Sequence, residues 1–184
     1  MKQIKLIAIV ASLMFLGSKA SAQDTQTDNH TITVVVPSVA LLDLEATTRN
    51  FTSTFVQPTP LEAGERITAP ANNTNLWLNY SSIIGGSVLS RKVQVKIGAL
   101  VPGVDIAVTA AAAVNGAGTR GTGSTITLTA TDQDLVTAIG SAYTGTGINN
   151  GHNLTYAFNA LDANYGSLRA ASPVVTVTYT LVDN

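Results

Sequence analysis

Few side chains in this chain are of a type that does chemistry, and their spacing limits each of them. Cysteine is absent, which excludes a thiolate nucleophile, a cysteine-ligated zinc, a disulfide framework and a lipid-bearing cysteine. The two histidines, His30 and His152, have no carboxylate or second ligand close in sequence. His30 lies in a polar N-terminal stretch and His152 in the turn-rich run Asn149-Asn150-Gly151-His152-Asn153; both read as surface histidines in loops. Asp132 and Asp134 put two carboxylates at a strand end, which is how a calcium loop begins. The further oxygen ligands and the closing glutamate do not follow, so cap and turn roles are expected. Glu45, Glu62 and Glu65 are the only glutamates, and none has an acid partner for glycoside hydrolysis. No Gly-x-Ser-x-Gly elbow is present. The expectation is a non-enzyme without cofactor or metal; an extracellular enzyme would need a pocket joining Asp132, Asp134 or His152.

Gly116, Gly118 and Gly121 fit the dinucleotide fingerprint G-x-G-x-x-G letter for letter. That motif works between a strand and the N-terminus of a helix, whose free N–H groups hold the pyrophosphate. Here an alternating strand follows at residues 125–130, so a flexible hairpin loop is expected instead. Trp77, Tyr143 and Tyr165 could stack on sugar rings if loops gathered them on one face, giving a carbohydrate-binding alternative. Tyr80 shares the phase of Leu76 and Leu78 and belongs with a core. Thr125, Thr127, Thr129 and Thr131 line one strand face and Thr176, Thr178 and Thr180 another, which suits a solvated sheet surface.

The elements that must position these residues follow a period of two. Ile32, Val34 and Val36 alternate with Thr31, Thr33 and Val35 up to Pro37. Leu76, Leu78 and Tyr80 alternate with Trp77 and Asn79, and residues 91–97 set Val93, Val95 and Ile97 against Lys92, Gln94 and Lys96, one dry face and one wet. The pattern recurs in Val104, Ile106 and Val108; in Ile126, Leu128 and Ala130; in Leu154, Tyr156 and Phe158; and in Val175, Val177, Tyr179 and Leu181. Residues 40–44 and 51–56 are weaker strand candidates. Only residues 132–139 read as helix, with Asp132 as cap and Leu135, Val136 and Ile139 at helical spacing. Around nine short strands separated by Gly, Pro and Asn predict an all-β fold, an antiparallel β-sandwich of immunoglobulin-like or jelly-roll type.

Composition fits that class. Charged residues are 11% of 184 and the formal net charge is −1. Lys2 and Lys5, an apolar run at residues 6–16 and Ala20-Ser21-Ala22 form a secretory signal over residues 1–22, the run being too short to span a bilayer. Cleavage there leaves 162 residues with 7 basic and 11 acidic groups. That mild acidity opposes nucleic acid and anionic lipid. The expected product has a polar extension at 23–29 and one domain at 30–184. It is secreted through the periplasm to the outer surface or medium, without membrane insertion.

The leader, the N-terminal run Ile32-Thr33-Val34-Val35-Val36 and the closing Val175-Thr176-Val177-Thr178-Tyr179-Thr180-Leu181 together resemble the layout of fimbrial subunits of the chaperone-usher kind. Many such subunits carry a cysteine pair, which this chain lacks. The resemblance implies a structural or adhesive surface subunit that self-associates, or joins another subunit, by strand donation. In that process an N-terminal extension fills an apolar groove in its neighbour, and Ile32, Val34 and Val36 would be the inserting residues. The competing expectation is that the same segment is the first strand of a self-complete sandwich.

Overall fold

A computed structural model of the chain describes residues 26–184; the signal sequence expected at 1–22 and the start of the polar extension lie outside them. Among the described residues nine strands form: β1 Val39–Glu45, β2 Asn73–Ile83, β3 Arg91–Ile97, β4 Asp105–Ala110, β5 Ala117–Gly123, β6 Thr125–Thr127, β7 Gln133–Tyr143, β8 His152–Asn159 and β9 Val177–Asp183. All pairings are antiparallel. Between β8 and β9 lies one 3-10 turn, Asp162–Ser167. The expected all-β antiparallel sandwich is therefore the fold, and one hydrogen-bonded network runs through both of its layers. One layer is β1-β2-β8-β4-β6 and the other β5-β7-β3-β9. They join where Ser81 and Ser82 of β2 meet Tyr143 and Ala142 of β7.

The core lies where the dry faces meet. Leu76, Leu78 and Tyr80 from β2, Val93, Val95 and Ile97 from β3, Val108 from β4 and Leu154 and Tyr156 from β8 are all buried. Removing such aliphatic side chains from water stabilises by about 1.5–3 kcal/mol each, enough for a domain without staples. On the wet face of β3, Lys92 and Lys96 each sit 3.0 Å from a carboxylate, Asp134 and Asp132 respectively.

Four expectations are corrected. The expected helix at 132–139 is instead strand from Gln133 on, and Asp132 pairs with Lys96 rather than capping. Leu135 and Val136 are both fully buried, as is Ile139, because β7 bulges twice against β3 and Ala138 takes φ 57°. Each bulge adds a residue and resets the two-residue phase, which imitates helical spacing. Residues 30–36 form no strand, and Ile32, Val34 and Val36 are 72%, 79% and 67% exposed; alternation supplies a face, but a strand also needs a ladder partner. Residues 51–56 contribute only an isolated bridge, Val56 to Thr68. Phe51 instead lays its ring edge-on to Tyr156 and Phe158, at 5.5 and 6.3 Å between centroids.

The run from Gly116 to Gly121 is not a free loop either, since most of it belongs to β5, held tightly against β7. A Cβ on Gly118 would stand 2.1 Å from the Ser141 carbonyl oxygen, and one on Gly116 1.9 Å from that of Tyr143. The glycines are there for close backbone approach, not for phosphate.

Candidate functional site

The two edges of the sandwich differ. At one, β5 passes into β6 through Ser124, whose N–H donates to Leu135 O at 2.9 Å and whose carbonyl accepts from Ala110 N–H at 3.0 Å. The chain itself stitches the layers together there. At the other, β1 ends one layer and β9 the other. Among the described residues β1 pairs only with β2, and β9 only with β3, so each presents an unpaired row of backbone donors and acceptors.

Side chains follow the same division. Leu42 and Leu44 of β1 stand opposite Tyr80 and Leu78 of β2. Val177, Tyr179 and Leu181 of β9 stand opposite Ile97, Val95 and Val93 of β3. The inner partners are buried, while the five edge residues pack on the core and are only half-buried. Along the β1/β9 edge both strands thus carry an apolar row that is only partly covered. Arg91 closes one end: its Nε donates to Asp183 Oδ1 at 2.7 Å, and Nη1 donates to Val39 O and, at 3.2 Å, to Ser82 Oγ. The Tyr179 hydroxyl bonds that of Tyr156, which is buried in the core. Burial pushes the Tyr156 phenol up to about 12, and that of Tyr179 is also raised by burial. Both rows are made of uncharged side chains, while Arg91 and Asp183 pair at one end. Alternation marked the members of both rows in sequence, but not that their strands would end up as facing edges.

His152 is not a surface histidine. It opens β8, is fully buried and stacks on Tyr80 at 5.6 Å. Its Nδ1–H donates to Ala111 O at 2.7 Å, and Nε2 lies 2.8 Å from the Tyr80 hydroxyl. Burial pushes its pKa down, with carbonyls of Ala111 and Arg120 pulling the other way. A histidine held neutral in the fold binds a proton only after unfolding once the pH drops below its ordinary value of about 6.5. Stability is therefore fully present above that pH and falls beneath it. Urea unfolding is expected to show lower stability at pH 5.5 than at pH 6.5, with a smaller loss in His152→Gln; equal losses in the two proteins would contradict this.

The carboxylates join no histidine. Asp134 accepts from Gln94 Nε2 at 2.8 Å and Lys92 Nζ at 3.0 Å, and these bonds hold its carboxyl below the usual range. Among the described residues no group of three or more His, Asp or Glu could hold a metal ion, and no helix is long and apolar enough to cross a membrane. The three aromatics considered for sugar stacking are not gathered. Trp77 lies on the outer face of β2, half-buried. Tyr143 is exposed at the end of β7, and Tyr165 sits in the 3-10 turn, its hydroxyl accepting from Ile67 N–H at 3.2 Å beneath the Arg66 guanidinium.

No family model, curated protein or solved structure matches the chain.

Proposed function

We propose that this protein is an exported surface subunit, structural or adhesive, that assembles by lending residues 30–36 to the open β1/β9 edge of a second copy. The observation that carries this reading is the pair of open edges, β1 and β9, each backed by a half-buried apolar row. A strand laid there completes the backbone ladder and covers Leu42, Leu44, Val177, Tyr179 and Leu181 with alternate side chains. β1 and β9 are each seven residues long, the length of residues 30–36.

Ile32, Val34 and Val36 are the side chains for that face. Burying three aliphatics contributes roughly 5–9 kcal/mol before ordering costs. Pro37 favours exchange between copies over self-completion. A two-residue hairpin from Val36 into β1 would place Pro37 at its first central position, where the turns that fit twisted strands need positive φ. Proline is locked at about −65°. Export fits the leader-like residues 1–22 and a core that holds without cysteine in an oxidising compartment. The test is the state of the processed chain in unheated, detergent-containing gels. Ladders at multiples of the subunit mass are expected, collapsing to monomer on heating; monomer alone at high concentration would count against the proposal.

A further inference from the structure

We propose a second site, independent of assembly: a cleft on the outer face of β2 that binds a neutral oligosaccharide against Trp77. The cleft has a volume of about 680 Å³ and is lined by Thr74, Asn75, Trp77, Ile148, Asn149 and Asn153, with Thr47 and Thr48 from the segment after β1 closing the remaining side. One indole is surrounded by amides and hydroxyls that can both donate and accept. That is the chemistry a sugar ring needs, since its C–H face stacks on an aromatic while its hydroxyls exchange hydrogen bonds at the rim.

The walls are held in place before any ligand arrives. Asn153, the cross-strand neighbour of Trp77, donates its two amide hydrogens to Thr74 O at 2.8 Å and Leu76 O at 3.2 Å. Its Oδ1 has no partner among the described residues and is left to accept. The β7–β8 loop that carries Ile148 and Asn149 is pinned over β2 by the buried Asn79, whose Nδ2 donates to Gly147 O at 2.8 Å. Within the loop, Asn150 Nδ2 donates to Thr146 O at 2.7 Å, and Asn115 Nδ2 reaches in to Asn150 Oδ1 at 2.9 Å. Such fixing lowers the ordering cost of binding.

Charge selects among ligands. No lining residue is charged, and the nearest cross-strand neighbour of Trp77 on β1 is Glu45. Nucleotides and sialylated or sulfated glycans would find no cation among the lining residues, whereas a neutral glycan loses nothing. Whether such a glycan sits on a host surface or on the producing cell, the recognising chemistry is the same.

The chain contains one tryptophan, so its emission reports on this cleft alone. The probes are an array of neutral oligosaccharides ending in glucose, galactose, mannose or fucose, and their sialylated counterparts. At least one neutral member is expected to shift Trp77 emission saturably, with its sialylated counterpart at least about ten-fold weaker. In calorimetry Asn75→Ala should weaken binding by about ten-fold and Trp77→Ala abolish it, as for a central aromatic anchor. Trp77→Phe, which keeps a ring on the sheet, guards against loss of fold and should retain partial affinity. Chains carrying Ile32→Asp and Val34→Asp should bind as well as the parent. Silence across the neutral panel, equal binding of sialylated members, or affinity unchanged in both Asn75→Ala and Trp77→Phe would overturn the site.

Discussion

Gly118→Ala is expected to cost about 2–5 kcal/mol, a large part of the roughly 5–15 kcal/mol that holds a domain together. Two effects add. Gly118 has φ +84°, where an L-residue pays about 1–2 kcal/mol, and the new Cβ would stand 2.1 Å from a backbone oxygen of β7 that the ladder holds in place. Relieving that clash means moving β5 from β7, an overpacking cost of about 1–3 kcal/mol. Gly147 separates the two effects: its φ is also +84°, but a Cβ there meets nothing within 4 Å. Gly147→Ala should lose only the conformational part, about 1–2 kcal/mol. Urea unfolding of both variants checks this, and equal losses would show that close approach is not why β5 carries its glycines.

The second large effect concerns assembly and leaves the fold alone. Replacing Ile32 and Val34 together by aspartate should abolish polymers outright, because two carboxylates would have to pack on the apolar edge rows without partners. Both residues are more than two-thirds exposed in the subunit, at 72% and 79%, so its own unfolding midpoint should shift by no more than about 0.5 kcal/mol equivalent. Light scattering gives the first quantity and denaturant unfolding the second. Loss of stability in step with loss of polymer would mean that the segment belongs to its own subunit's core.

The sequence was legible where local pattern and tertiary role agree. Residues 91–97 alternate without interruption, and β3 occupies them residue for residue because that strand is paired on both sides with one face in the core. Tyr80 was placed correctly by phase. Legibility failed where the ladder departs from regularity. The bulges of β7 put Leu135 and Val136 side by side in the core and imitate a helix. The G-x-G-x-x-G letters reflect backbone contact with β7, which no local pattern announces. His152 was misplaced because Asn and Gly around it signal a turn, while its burial depends on Tyr80 and Ala111, 72 and 41 residues away.

The open edge and the Trp77 cleft were half legible. Each strand that builds them could be read, and so could the aromatic, but which strands become edges depends on the order β1-β2-β8-β4-β6 and β5-β7-β3-β9. That order is set by long-range pairing, which a two-residue rhythm does not encode. Hence residues 40–44 read only as a weak strand and the β9 row as one alternating face among several, and Asn153 as a loop residue rather than one wall of a cleft.

Because the chain has no cysteine, two introduced thiols can pair only with each other, and this gives the most direct measurement. One chain carries Val34→Cys, a second Leu42→Cys, and a third both; each is allowed to assemble, is oxidised, and is run on a denaturing gel without reductant. Strand lending between copies predicts a mixed disulfide joining the first two chains and a covalent ladder from the third. A third chain that closes its disulfide within a single monomer, with no cross-linked dimer from the mixture, would contradict it.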